Sequence, residues 1–204
     1  MNGQTPSPNN NTSLAPTQLL NKLGWSDDGA GVGVVALVPV SRSIILDGSV
    51  LSFATVAARK ARRPLLIDID HRQPRLQRTL GLAASPGLTD FLANKSDFAG
   101  IIRRGKVPGV DAVAFGRKRS NRFLGRSTER VGELLREARA EYELVVVSAS
   151  SAQDASTTHE WLTFVDSVVL VADDTLRLGD AQRAKQQLYR SGVVVSGAVF
   201  LGDD

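Results

Sequence analysis

GVGVVALVPVSRSIILDGSVLSFATVAARKARRPLLIDIDHRQP, residues 31–74, is the stretch whose reading decides the fold. Val34 to Val38 form an apolar run bounded by glycines and a proline, as in a buried strand. From Asp47 the period changes: Val50, Phe53, Ala54, Ala57, Ala58 and Ala61 fall at spacings that share one helical face. Pro64 opens a second strand, and the carboxylates of Asp68 and Asp70 emerge where it ends. Strand, helix and parallel strand make a βαβ unit with a right-handed crossover. The loop after the first strand is where such a fold keeps a phosphate.

Outward from this unit, strands and helices alternate. Short helices are expected at 73–80 and from Gly87 to Leu92, a third strand at Asp111–Phe115 and a helix ending near Tyr142. A strand at Leu144–Val147, a helix at 153–164, a strand at Ser167–Ala172, a helix at 179–189 and a closing strand at Val193–Leu201 follow. This order predicts an α/β fold, a mostly parallel sheet with helices on both faces. Residues 1–15 are Asn, Ser, Thr and Pro with little to bury and are expected to be disordered. Residues 16–204 are read as a single domain, opening with a short helix at 16–23 and a Trp25 anchor.

With 204 residues, 42% of them hydrophobic, the chain can bury a sizeable core. The absence of cysteine excludes disulfides, thiolate metal sites and a cysteine nucleophile, and fits a reducing cytoplasm. No apolar run approaches the roughly 20 residues of a membrane-spanning helix, and no Lys or Arg precedes Lys22 to begin a signal peptide. The expected location is therefore cytoplasmic, with peripheral contact at the inner face of the plasma membrane as an option. The net charge is only +4, but nine Lys or Arg fall between Arg103 and Arg130 against two acids. Arg103, Arg104, Lys106, Arg117, Lys118, Arg119 and Arg122 are the candidates for an interaction patch facing an anionic membrane or an acidic protein segment. No zinc finger or aromatic interleaving accompanies them, which disfavours nucleic acid.

A phosphate-binding loop needs glycines that let successive N–H groups converge, a lysine and a hydroxyl. The loop from Pro39 to Gly48 has no glycine before its last residue and no lysine, and Ile44 and Ile45 resist positive φ. Asp47 near the helix start adds a carboxylate that repels phosphate. No cofactor and no metal are therefore expected, and the site is read as closed. Asp68 and Asp70 are compatible with holding magnesium or taking a proton, but a structural network is the favoured use. Arg42, the one cation of the loop, is a candidate to compensate for the lysine, with pairing to Asp47, Asp68 or Asp70 preferred. Ser148, Ser150 and Ser151 lack an evident base, His71 is read as a solvent-facing loop residue, and His159 as a helix-surface residue.

Four segments together resemble a known family: LLIDIDHRQP (65–74), GLAASPGLTDFL (81–92), RSTERVGELLREARAEYELVVVS (126–148) and VVLVADDTLRLGDAQRAKQQLYRSGVVVSGAVFL (168–201). In this order and spacing they resemble the cytoplasmic domains of bacterial exopolysaccharide and capsule tyrosine kinases, within the MinD/ParA-like P-loop class. The resemblance implies a P-loop NTPase-like three-layer sandwich. It also locates the departures. The family's Walker lysine falls on Leu46, its hydroxyl residue on Asp47, its Walker B acid on Ser148 and its adenine-facing asparagine on Leu201. Asp68 and Asp70 carry over from the acidic second Walker motif. Neither the tyrosine-rich tail nor an ExxRxxR stretch is found in the sequence.

What the resemblance implies is a pseudokinase. Such a protein supports exopolysaccharide synthesis or export by binding the cytoplasmic segment of a membrane co-polymerase or a sibling tyrosine kinase. A homodimer is compatible with this reading. One alternative is an unusual active ATPase or tyrosine kinase that uses ATP and magnesium through Arg42, Asp68 and Asp70. Another is a MinD/ParA-like positioning protein, associated with DNA or membrane, without a nucleotide switch.

Overall fold

A computed structural model describes residues 33–59, 63–117 and 128–201. The expectations for 1–15, 16–23 and Trp25, and for Lys118, Arg119 and Arg122, lie outside the described residues. The opening unit folds as its periodicities dictate. Strand β1 (Val34–Pro39) is buried at every position, helix α1 (Asp47–Arg59) buries Val50, Phe53, Ala54 and Ala57, and β2 (Pro64–Asp68) is again wholly buried. Phe53 is among the largest fully buried side chains. Burying a side chain of this kind contributes about 1.5–3 kcal/mol.

Three short helices follow, α2 (Leu76–Thr79), α3 (Leu88–Leu92) and α4 (Phe98–Ile101), then β3 (Arg103–Arg104) and β4 (Asp111–Val113). The second half alternates regularly: α5 (Thr128–Glu141), β5 (Leu144–Ser148), a 3-10 turn (Ala152–Asp154), α6 (Ala155–Leu162), β6 (Ser167–Asp173), α7 (Leu178–Arg190) and β7 (Gly197–Leu201). The strands form one sheet in the order β3-β4-β2-β5-β1-β6-β7. All pairs are parallel except β3 with β4, an antiparallel edge of two arginines. Charge on an edge strand discourages pairing with another chain.

Complete burial of β1, β2 and β5 requires cover on both faces of the sheet. Helix α1 packs on β2 and β5, α5 packs on β5 and α6, and α6 packs on α7. Three details depart from expectation. Helix α4 and strand β3 are too short for a periodic signal. Strand β4 ends at Val113, with Ala114 and Phe115 buried beyond it. Strand β7 starts at Gly197 rather than Val193, because Val193 packs into the core from the turn after α7 while Val194 is 77% exposed.

Gly33, ahead of β1, is required by a close approach. A Cβ there would lie 1.7 Å from Asp166 Oδ2, which accepts the Val34 N–H at 2.6 Å. Arg139 holds the other oxygen of Asp166 at 2.9 Å. This glycine therefore serves the end of the sheet remote from the loop where a phosphate was sought.

Candidate functional site

Parallel pairing brings the loops after β1, β2 and β5 to one edge of the sheet. Ser148 is in register with Leu37 of β1 on one side and Asp68 of β2 on the other. Crevices at the carboxyl ends of such strands are the usual ligand sites of open α/β sheets. Here the crevice is a cleft of about 220 Å³ whose walls include the 41–47 loop, Asp68, Asp70, Arg72, Ser148 and Asp154. That volume is below the roughly 300–1,000 Å³ of ordinary small-molecule pockets.

The first loop is shaped by its apolar residues. Ile44 and Leu46 are 6% and 5% exposed and belong to the core, while Ile45 between them is 53% exposed. Both inward side chains anchor the loop, and no residue from Val40 to Gly48 has positive φ. An anion nest requires neighbouring residues in right- and left-handed conformations so that their N–H groups converge. This loop makes none, and no lysine is among the described residues that line the cleft. Asp47, first residue of α1, accepts the Thr79 hydroxyl at 2.7 Å, so its carboxylate is tied to α2. Among the described residues, this loop offers a phosphate neither a backbone nest nor a lysine.

Asp68 is 1% exposed. Its Oδ1 accepts the Asp70 N–H at 2.9 Å and its Oδ2 the Leu76 N–H at 3.2 Å. Burial pushes its pKa up to about 8, against the opposing pull of these two N–H groups. Asp70 accepts the N–H groups of Arg72 (3.0 Å) and Gln73 (3.2 Å) and the Ser150 hydroxyl (2.9 Å). Both acids therefore shape the loop after β2. His71, expected to face solvent, is half-buried, and its Nδ1 lies 3.2 Å from Ser150 Oγ. Because that hydroxyl donates to Asp70, Nδ1 is assigned as the protonated nitrogen. The arrangement differs from a serine nucleophile with its base: Ser150 is 2% exposed and its proton already points to Asp70.

Arg42 does not pair with Asp47, Asp68 or Asp70. Its guanidinium contacts Asp154 at 2.7 Å through Nη2 and 3.2 Å through Nε, and Arg72 Nη1 reaches the same carboxylate at 2.6 Å. Asp154 thus joins the loops after β1, β2 and β5 in one clasp. Burial opposes its charge, yet hydrogen bonds and attraction from Arg42 and Arg72 hold its pKa below the usual carboxylate range. Sequence reading missed Asp154 by placing it inside the following helix. The only available signal was a carboxylate just before that helix. It stands at the N-cap position of α6, yet no cap hydrogen bond comes from its side chain.

Leu201 ends β7 opposite Asp173 and does not line the cleft. In the basic patch, Arg103 is half-buried and donates to the carbonyls of Gly100 (2.8 Å) and Ile102 (2.7 Å), so it serves the turn after α4. Arg104, Lys106 and Arg117 are exposed. His159, expected on a helix surface, is half-buried, with its Nδ1 enclosed.

No protein-family model matches the sequence. The chain is 30% identical over 150 residues to the "Putative tyrosine-protein kinase EpsB" of Ralstonia nicotianae, covering 73% of this chain and 20% of that protein. It is 27% identical over 170 residues to the tyrosine-protein kinase Wzc of Salmonella typhi, covering 82% of this chain and 23% of that one. The chain therefore spans about a fifth to a quarter of these relatives. Among solved structures, the kinase domain of the Escherichia coli tyrosine kinase ETK superposes with a TM-score of 0.79 at 23% identity, over 91% of this chain and 72% of that one. The septum site-determining protein MinD of Pyrococcus horikoshii, solved with Mg-ADP, superposes with a TM-score of 0.68 at 14% identity, over 82% of this chain and 69% of that one.

Proposed function

From a chain whose homologues are bacterial tyrosine kinases and whose fold is that of their P-loop, MinD/ParA-like domains, we propose a kinase-like protein that works without phosphoryl transfer. Its role is to support or regulate exopolysaccharide synthesis or export. It does so by binding the cytoplasmic segment of a membrane co-polymerase or a sibling kinase. The observation that carries this reading is the 40–47 loop. Ile44 and Leu46 are turned into the core, no positive φ forms an anion nest, and Arg42 is committed to Asp154. Phosphoryl transfer depends almost entirely on positioning and neutralising phosphates. A loop without a nest or lysine supplies neither.

Calorimetry with ATP and magnesium tests the reading directly. The expected result is no saturable heat at millimolar nucleotide, together with no phosphate transfer from labelled ATP to the protein. Saturable binding accompanied by turnover would replace this reading with the active one. That second reading draws on two observations: the cleft remains open, and Asp68, with its pKa near 8, stands at its wall as a carboxyl able to exchange a proton near neutral pH.

The partner reading draws on Arg104, Lys106 and Arg117, all three of them exposed. Among the described residues no helix is long and apolar enough to cross a membrane. The proposed contact with a membrane assembly uses the surface charges of Arg104, Lys106 and Arg117.

A further inference from the structure

Beside the cleft lies a second hollow of about 530 Å³, whose charged lining residues are Arg72, Arg75, Arg78 and Arg117. Among the described residues that line it there is no carboxylate, whereas the cleft sets Asp47, Asp68, Asp70 and Asp154 against Arg42, Arg72 and Arg75. The two share Arg72 and Arg75, so the charge balance reverses over a short stretch of surface. Local structure explains how the arginines come together. Arg72 is held by Asp154 at 2.6 Å, and Arg75 donates to Gln73 Oε1 at 2.6 and 3.1 Å. Arg78 follows Arg75 by three residues, the spacing that places side chains on one side of a turn.

Arg117 reaches the rim because the chain turns at Gly116, with φ +100°. A Cβ at Gly116 would lie 2.3 Å from Thr89 Oγ1, so the turn is pressed against α3 and only glycine fits. Among the described residues no ion-pair partner is assigned to Arg78 or Arg117. Gathered guanidinium groups repel one another unless an anion stands between them. Their planar forks match phosphate oxygens two at a time.

We propose that this hollow is a binding site for a small ligand bearing two or more linked phosphate groups, distinct from the nucleotide cleft of the fold. A single phosphate engages one or two of the forks, while a linked pair spans the rim from Arg75 and Arg78 to Arg117. The proposal does not depend on whether the chain catalyses phosphoryl transfer, since it uses none of the residues of the 40–47 loop.

The test is calorimetric titration of the intact chain with inorganic pyrophosphate and, separately, orthophosphate, at low and at raised salt. Pyrophosphate is expected to bind saturably, roughly tenfold more tightly than orthophosphate, and to weaken as salt rises. Arg78→Glu combined with Arg117→Glu is expected to lower that affinity at least about tenfold, whereas Ser43→Glu, which adds a negative charge to the cleft wall only, should leave it in place. Amide shifts of Gln77, Ala84 and Gly116 in the unmodified protein supply a readout independent of how the double variant folds. No saturable pyrophosphate binding overturns the proposal. So does binding that is lost with Ser43→Glu but kept in the double variant, which would assign it to the cleft. Capture of a glutamate-rich peptide in the absence of pyrophosphate binding would likewise overturn it in favour of a peptide surface.

Discussion

Asp68 shows how one residue can change meaning while keeping its identity. In the sequence it is an acid of a motif associated with magnesium, and in the structure it is a buried acceptor that fixes the start of the loop after β2. Its pKa rises from 3.8 to about 8 through burial. The folded state therefore holds a proton that the unfolded chain has released across that interval. Stability from this group is fully present below about pH 4 and is lost as pH rises toward 8. Urea titrations at successive pH values should show unfolding free energy falling by up to about 1.4 kcal/mol per pH unit within the window. Asp68→Asn should flatten that slope, and an unchanged slope would assign the proton elsewhere. Asp154 behaves oppositely, since its two arginines favour the charged form. Its importance was invisible because Arg42 and Arg72 lie 112 and 82 residues away in sequence.

At the scale of elements, legibility followed length. Helix α1 was readable because thirteen residues display a whole apolar face, and Val50, Phe53, Ala54 and Ala57 are buried as that face requires. Phe53→Ala should therefore lower the unfolding free energy by about 3–5 kcal/mol, measured by chemical denaturation. Gly116→Ala should also destabilise, by about 1–3 kcal/mol from the backbone conformation alone, through a different cause. The Phe53 variant leaves a void, whereas the alanine at 116 meets Thr89. Thr89→Ala should relieve only the contact part of the Gly116→Ala cost, leaving the backbone part, and should leave the Phe53→Ala cost unchanged. Helix α4 and strand β3, of four and two residues, carry no period and emerge only once β4 and α3 are in place beside them.

For the whole molecule, seven strands gather the loops of β1, β2 and β5 at one edge and the arginines of β3 at another. If Arg104 and Lys106 contribute to an anionic contact, their joint replacement by glutamate should reduce salt-sensitive retention on vesicles containing anionic lipid. Retention equal to that of the unaltered chain would remove them from the surface. Such exposed charges are screened within about 10 Å at 0.1 M salt, so the comparison belongs at low ionic strength. The substitution is tolerable because both side chains are exposed.

The sequence by itself determined the alternation of the longer strands and helices, the buried face of α1 and which residues between Pro39 and Gly48 disfavour positive φ. Each of these is a local property, fixed by side-chain period or by which residues tolerate positive φ. Only the tertiary structure decided that Arg42 turns to Asp154, that Ser150 lies against Asp70 and His71, and that four arginines line one hollow. Those groups meet because parallel strands far apart in the chain end at the same edge of the sheet. Charge pairing is chosen there by distance in space, which spacing along the sequence does not encode.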